Sequence, residues 1–221
     1  DHDSGAGNTL GDFGGDISYK LAPNLSASLS VNTDFAETEV DSRQLNFSRF
    51  SLFYPEKRDF FLRDSGVFQF GPQSRRGSVA TVPFFSRRIG LTQNERPMPI
   101  NLATKMTGRI GKYSIGIIDA QIDGHDGIGS QNAFVARVSR NVLEQSSIGL
   151  ITTVGDPNSD EDAYLIGTDF NYRTTSFLNN KTLRASVYAL ANYDEASDWS
   201  QVYGGSLTYP NDLLDGGLSF Y

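Results

Sequence analysis

The chain has 221 residues, a formal net charge of -7 and no cysteine, and 38% of its residues are hydrophobic. The lack of cysteine excludes disulfides and the zinc or iron–sulfur sites that need thiolate ligands, and the acidic balance argues against a nucleic-acid partner. The sequence contains no run of about 18 apolar residues that could cross a bilayer as a helix, and an outer-membrane barrel needs none.

The dominant pattern along the chain is alternation of apolar and polar residues. It begins at residues 17–21 and 25–32, which are separated by Pro23-Asn24. A period of two is typical of an extended strand, whose two faces differ in polarity. The same pattern predicts eight further strands, at about 102–110, 113–122, 132–140, 147–154, 163–173, 182–191, 203–209 and 217–221.

The connections between these strands are by turns short and long. Short ones are predicted at 22–24, 111–112, 141–146, 174–181 and 210–216, and longer ones at 35–101, 123–131, 155–162 and 192–202. Short turns on one side and long loops on the other are typical of outer-membrane barrels. We therefore predict an all-β, antiparallel, up-and-down transmembrane β-barrel of about ten strands. Residues 1–221 are expected to be one domain and a fragment of a larger barrel protein, since the chain starts without Met and stops within a strand-like segment.

Residues 35–101 form a long insertion that departs from the regular pattern. They contain ten of the 15 phenylalanines and ten of the 19 lysines and arginines. A segment this long without its own structure is uncommon in a compact domain, and its aromatic residues require burial. Pro55, the acid behind it and the apolar residues at 60–62 predict a short helix. We expect the insertion to fold into or across the barrel mouth as a plug or constriction.

Several segments resemble a known family: GDISYKLAPNL at 15–25, VNTDF at 31–35, EVD at 39–41, FYPEKRDFFL at 53–62 and FSRRIG at 85–90. The chain is similar there to an uncharacterised bacterial family that joins an N-terminal domain, like the family-nine carbohydrate-binding modules, to a C-terminal outer-membrane barrel. The resemblance is specific over about residues 14–120. It implies a Gram-negative outer-membrane location, lipid as a partner, and a carbohydrate-binding-like domain preceding this chain in the same protein. Some members are named membrane-associated hydrolases, but no catalytic residues carry over.

Charged residues beside aromatic ones in the insertion are the candidates for ligand binding. Arginine binds carboxylates through two parallel hydrogen bonds, and aromatic rings stack on the apolar faces of sugars. The alternative, which the sequence favours, is an internal ion-pair network that holds the insertion to the barrel wall, because opposite charges leaving water are usually paired. The candidates are Glu56, Arg58, Asp59, Arg87 and Arg88.

Two acidic segments are candidates for catalysis and for metal binding. Glu37, Glu39 and Asp41 alternate along one face of an extended stretch, and with Glu56 and Asp59 they are the carboxylates that a glycan hydrolase would use. Asp156, Asn158 and Asp160 resemble the start of a calcium loop, which then departs from the pattern because Glu161 stands where glycine is expected. The prediction is no catalytic residue, no metal and no cofactor.

The expected function is anchoring in the outer membrane, with capture or passage of a carbohydrate-related ligand. Two alternatives remain: a membrane-associated glycan hydrolase, and a soluble β-sandwich or propeller acting as a binding module. An enzyme would need two carboxylates converging in an open pocket. A soluble module would need polar residues on both outer faces of its sheets.

Overall fold

The computed structural model describes residues 14–33, 56–72, 82–91, 98–124, 129–157, 159, 161–195, 198–211 and 215–220. This part of the chain consists almost entirely of strands. A single helical turn, α1, spans Asp59–Leu62, and 3₁₀-helices span Ser65–Phe68 and Ser86–Arg88. The strands are β1 Gly15–Ala22, β2 Leu25–Thr33, β3 Ile100–Ile110, β4 Tyr113–Ile122, β5 Gln131–Val142, β6 Ser146–Val154, β7 Ala163–Phe177, β8 Lys181–Asp194, β9 Asp198–Pro210 and β10 Asp215–Phe220.

The strands form one antiparallel sheet in chain order, each paired with the next along the sequence. The predicted all-β class and the up-and-down order are thus confirmed. Strands β1 and β10 lie at the two edges of this ten-stranded sheet, which is not closed into a barrel. No helix among the described residues is long and apolar enough to cross a membrane.

Most strand positions agree with those predicted from the alternation, and β4 agrees to the residue. The predicted long connection at 192–202 is wrong, because β8 and β9 are joined by residues 195–197 alone. Tyr193 pairs with Trp199 and Asp194 with Asp198 across the two strands. Polar residues near the tip favour a loop in the sequence, but Asn192 and Asp194 occupy alternate strand positions on either side of Tyr193.

The two faces of the sheet differ in polarity. We call the face that carries Lys105, Arg137, Asp169 and Tyr188 the inner face, and the face that carries Leu150 and the other exposed apolar residues the outer face. Directly paired residues share a face and alternate residues return to it. The register therefore assigns every strand position to one of the two faces.

The hydrophobic core lies between the inner face and the described parts of the insertion. The buried insertion residues are Phe60, Phe61, Phe68, Phe70, Ile89 and Met98. They pack on the half of the inner face that is nearer the longer connections, where the strands contribute Ile100, Ala103, Ile118, Ala120, Ile122, Ala133, Val135, Ile151 and Leu190. Segments 56–72 and 82–91 are thus held against the sheet by burial of aromatic rings.

Glycines on the inner face provide room for these rings. A Cβ atom at Gly116 would lie 2.8 Å from the ring of Phe68, and one at Gly167 would lie 3.0 Å from the ring of Phe70. Separations of this size are shorter than van der Waals contact. The rings of the insertion therefore pack at positions where glycine leaves the inner face of the sheet without a side chain.

Candidate functional site

Glu56 and Arg58, two of the residues predicted to bind a ligand, are bonded to each other. The Nε and Nη2 atoms of Arg58 each donate to a carboxylate oxygen of Glu56 at 2.8 Å. Arg58 also donates to the backbone oxygens of Ile89 at 2.6 Å and Ser86 at 2.8 Å, and its guanidinium lies 4.2 Å from the ring centre of Phe61. The arginine is buried and joins segments 56–72 and 82–91 of the insertion.

The Glu56 carboxylate is fully engaged as well. It accepts hydrogen bonds from the Ser86 hydroxyl at 2.8 Å and from the backbone N–H groups of Lys57 and Arg58 at 3.1 Å. Burial alone would raise the pKa of Glu56, but the charge and hydrogen bonds of Arg58 outweigh it and hold that pKa below its ordinary value. This arrangement has the geometry of the internal ion pair that the sequence favoured.

The other predicted ligand-binding residues lie apart from this pair's hydrogen bonds. Asp59 is exposed in the first turn of α1, Arg87 is half-buried, and Arg88 is exposed. Glu37, Glu39, Asp41, Asn158 and Asp160 lie outside the described residues. Asp156 is half-buried, and the described part of the chain contains no group of three His, Asp or Glu residues placed to hold a metal.

Strand β3 holds the carboxyl end of α1 through two inner-face side chains. The buried Lys105 ammonium donates to the backbone oxygen of Phe60 and, at 2.9 Å, to that of Arg63. The Thr107 hydroxyl donates to a carboxylate oxygen of Asp64 at 3.0 Å. The lysine bonds satisfy carbonyls that a helix end leaves without partners, and all three bonds fix segment 56–72 to β3.

Strand β7 holds the same segment further along. One carboxylate oxygen of Asp169 accepts from the backbone N–H of Gly71 at 3.1 Å and from the Asn171 amide at 2.7 Å. The other lies 2.6 Å from Nη2 of Arg137 on β5. Phe70 packs between these strands, with its ring centre 5.3 Å from the Arg137 guanidinium. The insertion is thus bonded to the inner face at two separate places.

An open cavity of about 410 Å³ lies beside segment 66–72, toward the short turns of the sheet. Four arginines on four different strands line it: Arg109, Arg137, Arg173 and Arg184. Its remaining polar lining consists of hydroxyl and amide side chains, and no Asp or Glu is among the lining residues. This half of the inner face is therefore polar and cationic, whereas the half under the insertion is apolar.

Among the described residues, three of the four arginines of this cavity have no compensating charge, since only Arg137 is paired with a carboxylate, that of Asp169. Arg173 and Arg184 are direct cross-strand partners on β7 and β8, a position at which like charges destabilise a sheet. Within the described residues, neither they nor Arg109 form an ion pair. Arg137 is 3% exposed, and its Nε and Nη1 atoms have no hydrogen-bond partner. The cavity is therefore a concentration of guanidinium donors suited to an anion.

Sequence reasoning did not select these arginines. They are spread over residues 109–184, and none of them has another charged residue beside it in the sequence. The sequence signal that could have found them is the alternation along each strand, which places every one of these arginines on the inner face. That signal becomes specific only when the register places Arg173 opposite Arg184.

Comparison with protein families gives a match to a domain of unknown function, DUF5916, over residues 1–193. The chain belongs to this family. The match agrees with the resemblance to an uncharacterised family seen in the sequence, and in this DUF5916 chain it includes all four arginines of the cavity. Comparisons with curated proteins and with solved structures give no match.

Proposed function

We propose that this chain is the membrane-embedded part of a bacterial outer-membrane protein, in which the ten strands belong to a transmembrane β-barrel and the insertion at 35–101 narrows its lumen. The barrel anchors the protein in the membrane. The observation that carries the proposal is the outer face, which exposes large apolar side chains on every strand of the sheet and is covered by nothing in the described structure.

The outer face exposes large apolar side chains on all ten strands. Leu218 on β10 is 77% exposed, Tyr19 on β1 is 69% exposed and Leu150 on β6 is 49% exposed. Soluble monomers rarely expose a contiguous apolar patch above a few hundred Å². The exposed apolar residues here are spread over ten strands. Lipid is the solvent in which such a face is stable, since barrel strands alternate apolar outward with polar inward.

Aromatic clusters stand at both ends of this apolar face. Tyr193 contacts both Tyr164 and Trp199 beside the longer connections, with its ring centre 6.0 and 5.4 Å from theirs. Phe177 and Tyr209 meet at the short-turn end, with centres 6.3 Å apart. From Trp199 to Tyr209, β9 covers ~33 Å, or ~25 Å along the membrane normal at a tilt of ~40°. That spacing matches the two aromatic girdles of an outer-membrane barrel.

The proposal requires that the edges of the sheet be paired in the membrane. Strands β1 and β10 each have one strand neighbour in the described sheet. An open edge in hydrocarbon would leave backbone N–H and C=O groups without partners, at several kcal/mol for each group. Closure therefore takes place between β1 and β10, or through further strands of a longer protein.

The alternatives make different demands on the same residues. A soluble sandwich needs a second sheet over the outer face, and the described strands all belong to one sheet. A glycan hydrolase that used Glu56 would need a carboxylate free to move a proton, whereas this one is held by Arg58 and Ser86. The apolar outer face supports the barrel over both.

Heat modifiability of the full-length protein from purified outer membranes tests the proposal. A closed barrel resists detergent at room temperature, so the unboiled protein should migrate differently in a gel from the boiled protein. It should also stay with the membranes after an alkaline wash. Equal mobility together with recovery in the soluble fraction would overturn the barrel.

A further inference from the structure

We infer that the arginine-lined cavity is a binding site for an acidic saccharide, a hydroxyl-rich ligand that carries carboxylate groups. The inference rests on the proposed function, because the cavity would then lie in the barrel lumen beside segment 66–72 and be reached from the short-turn side. It adds a ligand class and a location that the anchoring role does not contain.

The charge of the cavity requires an anion. Side chains that are direct cross-strand partners have Cβ atoms about 5 Å apart, so Arg173 and Arg184 repel each other. Two nearby carboxylates are already engaged: Asp169 on the inner face with Arg137 and Gly71, and Asp64 of the insertion with Thr107. No acid lies between these two opposed arginines in the described structure. An external anion that bonded to both would therefore stabilise the sheet.

Arg137 supplies a second, independent observation. It is nine-tenths buried and lines the cavity, and its Nε and Nη1 donors have no partner in the described structure. A buried donor without an acceptor costs free energy. Each of these atoms exposes less than 1 Å², so a ligand oxygen would recover that free energy when the Arg137 side chain turns toward the cavity. Three exposed guanidinium groups and one buried one thus converge on the same space.

The rest of the lining selects for hydroxyl groups. Ser139, Asn141, Ser147 and Asn171 offer hydroxyl and amide groups that both donate and accept hydrogen bonds. The volume of about 410 Å³ lies in the range of small-ligand sites. An acidic sugar requires two kinds of partner: guanidinium groups that bind its carboxylates, and amides and hydroxyls that bind the hydroxyl groups of its ring. The cavity offers both.

The test is isothermal titration of the full-length protein, purified in detergent, with digalacturonate, with the neutral disaccharide cellobiose and with sodium phosphate. The protein should bind digalacturonate, and cellobiose should give no heat. R173Q should weaken binding by about tenfold or more, the effect of losing a charge-assisted hydrogen bond. R140Q is the matched control, because Arg140 lies on the outer face against Tyr113.

R184E separates a binding role from a structural one. Glutamate opposite Arg173 would form a cross-strand ion pair, so the unliganded variant should melt at a higher temperature than the parent while digalacturonate binding is lost. A parent-like affinity in R184E would overturn the site. Phosphate binding as tight as that of digalacturonate would overturn the saccharide class. Absence of any anion binding in protein that still shows heat modifiability would overturn the inference alone, whereas loss of heat modifiability in the parent would count against the barrel.

Discussion

Arg137 on β5 reaches Asp169 on β7 across the intervening strand β6, with 2.6 Å between Nη2 and Oδ1. Gly149 on β6 makes this possible, because it pairs with Asp169 and a Cβ there would lie 2.5 Å from the guanidinium nitrogens. The same carboxylate accepts the backbone N–H of Gly71. One ion pair therefore ties together two strands and the insertion.

Replacement of Asp169 by asparagine should destabilise the protein strongly. It removes the negative charge while Arg137 stays buried, and an uncompensated buried charge costs about 3 kcal/mol or more. The free energy of unfolding, measured by denaturant titration in detergent, should fall by that amount, and limited proteolysis should cut segment 56–72 faster. R137M/D169N should recover much of the stability, because it removes the unpaired charge. An unchanged D169N variant would show that the pair contributes nothing.

Gly149→Ala should weaken the same ion pair from the strand between its partners. The added methyl group would displace the guanidinium, and we expect a loss of about 1–3 kcal/mol in unfolding free energy, as for other overpacked sites. In an R137A background the same substitution should cost far less, so the double-mutant cycle should be clearly non-additive. Gly216→Ala is the control, since a Cβ at Gly216 has no atom within 4 Å. Additive effects would mean that Gly149 acts through something other than Arg137.

The strands were predictable from the sequence because their period of two and their turns are local. Pairing among the neighbouring charges of the insertion was predicted for the same reason, but as a network that holds the insertion to the barrel wall, whereas Arg58 bonds to Glu56 and to segment 82–91. The cavity was not foreseen, because its charge depends on register: Arg173 and Arg184 become opposed only when β7 and β8 are aligned. The Arg137–Asp169 pair was not foreseen either, because it depends on the alignment of three strands and on the space that Gly149 leaves for the guanidinium.

The bond network of Glu56 should make stability depend on pH in the acid range. Its pKa is lowered in the folded protein from an ordinary value of 4.5. A depressed folded pKa contributes stability that is present above the unfolded value and lost as pH falls through the folded value. The difference in unfolding free energy between the parent and E56Q should therefore be constant above about pH 6 and shrink below pH 4.5. D59N, at an exposed position outside this network, is the control, and a difference that grows on acidification would contradict the assignment.

The outer and inner faces should respond oppositely to a charged residue if lipid covers the outer one. Leu150 on β6 is exposed on the outer face, whereas Ser139 lines the polar cavity on the inner face. Arginine near the middle of a lipid-facing strand costs about 2–4 kcal/mol. Leu150→Arg should therefore reduce the heat-modifiable protein recovered from outer membranes, while Ser139→Arg should leave that fraction close to the parent's. Equal recovery of the two variants would mean that the outer face does not contact lipid, and a deficit for Ser139→Arg alone would reverse the assignment of the faces.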